Sequence, residues 1–325
     1  MPNPLFPVPD WFSHENQGAD IAIADLDGSG QPDLVVFMID SPSGENQGFY
    51  RIGRNLDAAG TVTGAWSNWI PIPNWGSFEN QGAGIALADL DNSGHQDLVV
   101  FQIDNPPGAN RGLYRIGRNL DSTGKVTGGW SNWVVVPDWE CSENQGGGIA
   151  LADLDNSGRS DLIVFQINNS AGDFGTYRPP GENLGLYRIA RDLDTSGTPT
   201  RGWTPWMTVP NWLAQENQEG GITLADLNGS GHLDLVVFQI DNLTGQNNGL
   251  YRIGRDLQTS GYTYGSPAGG WGDWVFIPQL FSHENQGAGV AAAALDGTDR
   301  VDLVVFMIDS PSGCNQGFYS VLSPV

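Results

Sequence analysis

Residues 84–121 read GIALADLDNSGHQDLVVFQIDNPPGANRGLYRIGRNLD, and residues 128–139 complete the phrase with GGWSNWVVVPDW. The stretch divides into four strand-length apolar segments separated by Gly, Asn, Asp and Pro turns, and none carries a helical period. The same phrase follows each of five Glu-Asn-Gln blocks, which begin at Glu15, Glu79, Glu143, Glu216 and Glu284, at intervals of 64, 64, 73 and 68 residues. A unit recurring in this way cannot bury its apolar faces alone and must stack on its neighbours. Four strands in a repeat of this length predict a β-propeller blade.

The two ends set the number of blades. The fifth copy runs through VAAAALDG, DLVVFMID and GFYSVLSPV without a Trp-rich fourth segment. Residues 5–18, LFPVPDWFSHENQG, match the end of such a segment, as in WIPIPNWGSFENQG at 69–82. The N-terminal strand therefore completes the last blade and removes the open edges that an unclosed array would expose. An open solenoid would need polar caps, and neither end has one. The expected fold is all-β: a five-bladed propeller of four antiparallel strands per blade, forming one domain over 1–325. Its blades span approximately 15–75, 79–139, 143–212, 216–280, and 284–325 plus 1–11.

Side-chain size orders the strands within a blade. The first alternates large with small (Ile85, Ala86, Leu87, Ala88), which suits a crowded axis. The second, DLVVFQI, is apolar on both faces, as a strand between neighbouring blades should be. The outermost carries paired tryptophans (Trp66 and Trp69, Trp130 and Trp133, Trp203 and Trp206, Trp271 and Trp274), expected to pack between outer blade edges.

Thirty-seven acidic residues against 14 basic ones give a formal charge of −23, and Lys125 is the single lysine. Nucleic acid and anionic membrane surfaces are poor partners for such a chain. No apolar run is long enough to cross a bilayer, and MPNPLFPVPDW has neither a basic nor an apolar leader region, so no signal peptide is expected. Cys141 and Cys314 fall in non-adjacent blades, and no disulfide between them is expected.

The densest chemistry lies between the first and second strands. The loops place side-chain oxygens at positions 1, 3, 5 and 9: Asp25, Asp27, Ser29 and Asp33; Asp89, Asp91, Ser93 and Asp97; Asp153, Asp155, Ser157 and Asp161; Asp226, Asn228, Ser230 and Asp234. With a backbone carbonyl at position 7, such a set suits the hard-oxygen demand of a structural calcium ion. Carboxylate count predicts calcium in the first three loops best and the fourth more weakly. The fifth loop, with Ala294 at position 1, is expected to hold none. The alternative is a set of tight Asx turns with no ion.

Asp-Leu-Asp-Gly/Asn-Ser-Gly-x-x-Asp followed by Asp-Leu-Val-Val-Phe resembles the FG-GAP/VCBS repeat, the propeller repeat of integrin α-subunit heads and many bacterial surface proteins. The resemblance covers essentially the whole chain. It implies a ring propeller whose loops hold calcium, although that family usually has seven blades, and here position 5 is Ser rather than Asp. Some fungal lectins resemble integrin propellers in the same way, with glycan sites between blades.

On the face opposite the acidic loops, the sequence repeats polar groups beside an aromatic. Glu79, Asn80 and Gln81 lie in the connector, Asp104 ends the second strand, Asn110 sits in the following turn, and Trp75 marks the exit of the preceding blade, with counterparts Trp11, Trp139 and Trp212. Amides and carboxylates that bond hydroxyls, beside a ring that stacks on a sugar, are the chemistry of a glycan site. The same residues also serve as latches, turn formers and edge seals. A multivalent carbohydrate-binding module of the lectin or adhesin kind, with a glycan or glycoprotein partner, is the leading expectation. A protein-interaction scaffold is the alternative. A polysaccharide lyase or glycosidase would need one asymmetric carboxylate pair, and none is legible in the repeats. The main asymmetries are the insertions at 172–183 and 262–270.

Overall fold

The computed structural model describes residues 4–11, 18–40, 46–75, 82–104, 110–139, 146–168, 184–212, 219–241, 247–263, 270–282, 287–309 and 315–322. Among them there is no helix, and so none long and apolar enough to cross a membrane. The chain opens with the short strand β1 (Phe6–Pro7). Blade 1 follows as β2 (Ala19–Ala24), β3 (Asp33–Asp40), β4 (Gln47–Gly53) and β5 (Ile70–Pro71). Blade 2 comprises β6 (Ala83–Ala88), β7 (Asp97–Asp104), β8 (Arg111–Gly117) and β9 (Val134–Val135). Blade 3 is β10 (Gly147–Ala152), β11 (Asp161–Asn168), β12 (Leu184–Ala190) and β13 (Met207–Thr208). Blade 4 has β14 (Gly220–Ala225), β15 (Asp234–Asp241), β16 (Asn247–Gly254) and the longer β17 (Val275–Ser282). Blade 5 has β18 (Ala288–Ala293), β19 (Asp302–Asp309) and β20 (Gln316–Leu322), with β1 as its fourth strand.

The circle closes as the two ends predict. Phe6 pairs with Tyr319 and Pro7 with Phe318, antiparallel. Val8 N donates to Gly317 O at 2.8 Å, and the Gln316 amide donates to Val8 O at 2.7 Å. Innermost strands touch in sequence around the axis, β18 returning to β2. They line an axial cavity of about 120 Å³ through positions such as Ile21, Ala86 and Leu151.

Five apolar clusters fill the spaces between blades, which explains the double-sided hydrophobicity of the second strand. Val35, Phe37 and Ile39 of β3 face blade 2, whereas Leu34, Val36 and Met38 face blade 5. All six are fully buried. Specific bonds reinforce this packing. The Tyr50 hydroxyl donates to Gly124 O of the next blade, and Tyr114, Tyr187 and Tyr319 donate likewise to Gly197, Gly261 and Gly60.

The outer tryptophan pairs pack at the blade edges and hold an arginine that the sequence reading did not single out. The Arg51 guanidinium lies over Trp66 and Trp69 at 5.1 and 5.3 Å, within cation–π range. It also donates to Pro9 O of the preceding blade, while Trp69 Nε1 donates to Asp10 O. Arg115, Arg188 and Arg252 repeat the clasp. Blade 5 has neither component, since Ser320 occupies the arginine position.

Candidate functional site

The acidic loops and the loops joining third to fourth strands share one face, as the up-and-down strand order requires. Asp33 Oδ1 accepts Asn55 N at 2.9 Å, and Ser29 Oγ donates to Asn55 Oδ1 at 3.1 Å. Within the first loop, Asp25 Oδ1 accepts Gly28 N and Ser29 N, and its Oδ2 accepts Gly30 N at 2.8 Å. The chain turns there on Gly28 and Gly30, at φ +72° and +81°, a region that favours glycine. These are Asx turns, and they recur at Asp89, Asp153 and Asp226.

The same turns gather carboxylates. Asp25, Asp27 and Asp33 bring one oxygen each within 4.8 Å of one another, as do Asp89, Asp91 and Asp97, and Asp153, Asp155 and Asp161. Ligand oxygens at about 2.3–2.6 Å from a calcium ion fit that spread, so the donor sets of the first three loops fit the ion. The fourth loop, carrying Asn228, is not among these three-carboxylate groups.

Arginines already answer part of this charge. Arg54 Nη1 lies 2.5 Å from Asp33 Oδ2, Arg255 lies 2.7 Å from Asp234, and Arg201 lies 2.7 Å from Asp155. Among the described residues no ion pair joins Asp89, Asp91 or Asp97. The Ser93 hydroxyl holds Asp91 below the usual carboxylate range, whereas burial pushes Asp97 up. The second loop is thus the most open of the first three to an added cation.

On the opposite face, the exit tryptophans are set deep between blades. Trp75 is 8 % exposed. Its ring packs over Gly48, where an added Cβ would come within 2.6 Å of Cε3. Phe37 and Trp133 lie 5.5 and 5.6 Å away by ring centroid. Trp11, Trp139 and Trp212 repeat this seat over Gly317, Gly112 and Gly185. The four indole Nε1 atoms are buried without a hydrogen-bond partner. Asn110 is half-buried immediately before β8. Asp104 ends β7 opposite Arg111, and only its backbone is described. Glu79, Asn80, Gln81, both cysteines and the 172–183 insertion lie outside the described residues.

Two carboxyls break the fivefold repeat at the axis. Gly84, Gly148, Gly221 and Gly289 form a tight ring with Asp20, which occupies the glycine position in blade 1. A Cβ on Gly84 would stand 3.0 Å from the Gly148 Cα. Asp20, 2 % exposed, accepts Ile21 N at 2.8 Å and Ile85 N at 3.0 Å. Nearby, Glu219 replaces the glycine of Gly18, Gly82, Gly146 and Gly287, and its Oε2 is sealed from solvent without a partner. Burial pushes Glu219 up to about 8; burial first, and then the Glu219 charge, push Asp20 up as well. The signal was present in the sequence as a non-glycine at a repeat position otherwise held by glycine.

No protein-family model matches the chain, and no curated protein matches it in sequence. Among solved structures, an α-L-arabinofuranosidase from Fusarium graminearum is similar over 99 % of this chain and 97 % of its own, at 11 % identity and a TM-score of 0.51. The Aleuria aurantia lectin, bound to α-methyl-L-fucoside, aligns over 95 % of this chain and 98 % of its own, at 10 % identity and a TM-score of 0.45. These likenesses concern the propeller fold.

Proposed function

We propose that the protein is a multivalent carbohydrate-binding propeller whose sites lie in the grooves between blades. The recurrence of one junction around the ring carries this reading. The same arginine clasp, tyrosine bond and sunken indole build four of the five junctions with nearly the same residues. Near-equivalent sites gain through avidity what each lacks in affinity, whereas catalysis needs one distinctive constellation. Of the two carboxyls that break the repeat, Asp20 is buried and the Oε2 of the half-buried Glu219 is sealed from solvent, unlike the open carboxylate pair that a glycosidase presents to its substrate. Propellers of this kind serve both the Fusarium hydrolase and the Aleuria lectin, so the fold decides neither reading.

In this proposal the connector-face groove uses Glu79, Asn80, Gln81, Asp104 and Asn110 as polar contacts, with Trp11, Trp75, Trp139 and Trp212 as its inner wall. Calcium is a structural cofactor of the acidic loops, held by Asp89, Asp91, Ser93 and Asp97 in the second. The FG-GAP/VCBS resemblance supports that assignment through the motif alone. A glycan array read with and without EDTA tests the whole: immobilised glycan should bind the protein far more tightly than free sugar does. Absence of binding across a broad array would leave the protein-interaction scaffold as the better reading.

A further inference from the structure

The rim of the ring, on the acidic-loop side, holds a concavity of about 620 Å³ between blades 1 and 2. That volume falls in the range of small-ligand sites, about 300–1,000 Å³. Ile70, Val126 and Trp130 supply apolar surface, and Asn68 and Lys125 supply polar groups. Its walls are fixed by bonds already described: the Tyr50 hydroxyl is tied to Gly124 O at 2.7 Å, and the Trp130 ring carries Arg115 at 4.9 Å.

We propose that this groove binds a sugar residue bearing a carboxylate, with Lys125 as the group that selects it. The proposal rests on the carbohydrate reading and adds a site and a substrate class to it. Lys125 is the single lysine of a chain of charge −23, and it is an exposed residue of this cavity's lining. At the same place in the other outer loops stand Thr61, Thr198 and Tyr262, so the cation distinguishes this junction from its equivalents. An acidic surface repels anions at long range, and an anionic sugar can settle only where a local cation offsets that field. A lysine ammonium, with three donors on a flexible stem, suits a carboxylate approached from solvent.

The acid beside it is Asp121, whose Oδ1 accepts Thr123 N, the Thr123 hydroxyl and Lys125 N at 2.8, 2.6 and 2.9 Å. Those bonds fix the turn that carries the lysine and engage that oxygen within it. The competing view is a solvated lysine that merely offsets Asp121.

Matched sugar pairs separate the two: sialyllactose against lactose, and trigalacturonate against its methyl ester, titrated into wild type and Lys125→Thr. Threonine is what blades 1 and 3 carry there, and an unchanged melting temperature would show that the fold tolerates it. Wild type should prefer the acidic member of at least one pair about fivefold, the order of an exposed ion pair. That preference should fade with added salt and vanish in Lys125→Thr, while neutral-glycan binding persists. Neutral binding without acidic preference in wild type, or a preference retained in Lys125→Thr, overturns this site and leaves the carbohydrate reading standing. Wild type that binds no glycan overturns both.

Discussion

Removing residues 1–11 tests the closure of the ring. The segment contributes Val8, fully buried, worth about 1.5–3 kcal/mol on area grounds. Phe6 stacks on Tyr319 at 5.4 Å, and Trp11 lies 5.5 Å from Trp69 and 5.6 Å from Phe306. Losing two partly buried aromatics costs about 2 kcal/mol each, below the full-burial figure of about 3–5. Hydrogen bonds from Val8 N, to Val8 O, from Arg51 to Pro9 O and from Trp69 to Asp10 O add about 1 kcal/mol apiece. The sum, about 10 kcal/mol, rivals the whole stability of an ordinary domain, about 5–15 kcal/mol. At about 2 °C per kcal/mol for a chain of this size, the truncated protein should melt about 20 °C lower or show no cooperative transition. Scanning calorimetry with near-ultraviolet circular dichroism reads this, and a synthetic peptide of residues 1–12 should restore part of the loss by pairing along β20. A truncated protein melting within about 3 °C of the full chain would refute the reasoning.

Three further outcomes follow from the geometry. Glu219, pushed up to about 8 from an ordinary 4.5, keeps in the folded state a proton that the unfolded chain releases. Its contribution is therefore complete below about pH 4.5 and lost as pH rises through 8, by an amount on the order of a few kcal/mol. Glu219→Gln should melt higher than wild type at pH 8 and converge with it near pH 5, and parallel melting curves across that range would count against the buried carboxyl. Calcium should raise the melting temperature in proportion to occupancy, with Asp91→Asn weakening the calorimetric isotherm; no heat at millimolar calcium leaves the loops as Asx turns alone. Gly48→Ala should cost about 1–3 kcal/mol by overpacking, because its Cβ meets the Trp75 ring at 2.6 Å, and an unchanged thermal midpoint would contradict the sunken indole.

The ring was legible because repetition and strand period are properties of sequence alone. The pairing of Phe6 with Tyr319 could be read from two unmatched ends. What escaped were features set by tertiary geometry. Nothing local marks Arg51 as the filling of a tryptophan clasp, since Trp66 and Trp69 lie 15 and 18 positions further along the chain. The depth of Trp75 depends on Gly48 standing beneath it across a blade. Asp20 and Glu219 were missed for another reason: attention to what recurs passes over the single departures from glycine. Those departures fall on the axis, where five strands converge and one carboxyl occupies the space that glycine leaves elsewhere.

The tyrosine bonds run in one direction around the circle, blades 1, 2, 3 and 5 each reaching forward to the next, and the arginine clasps of blades 1 to 4 reach back. Such a hoop has no first segment. A circular permutant could join Leu322 to Phe6 through a turn like that at 54–65 and open instead in another outer loop. It would carry every one of these blade-to-blade bonds in a different chain order. The same hoop also spreads an imposed load over all junctions, and the one between blades 4 and 5, where Ser320 and Leu280 replace the arginine and the indole, is where it should first part under tension.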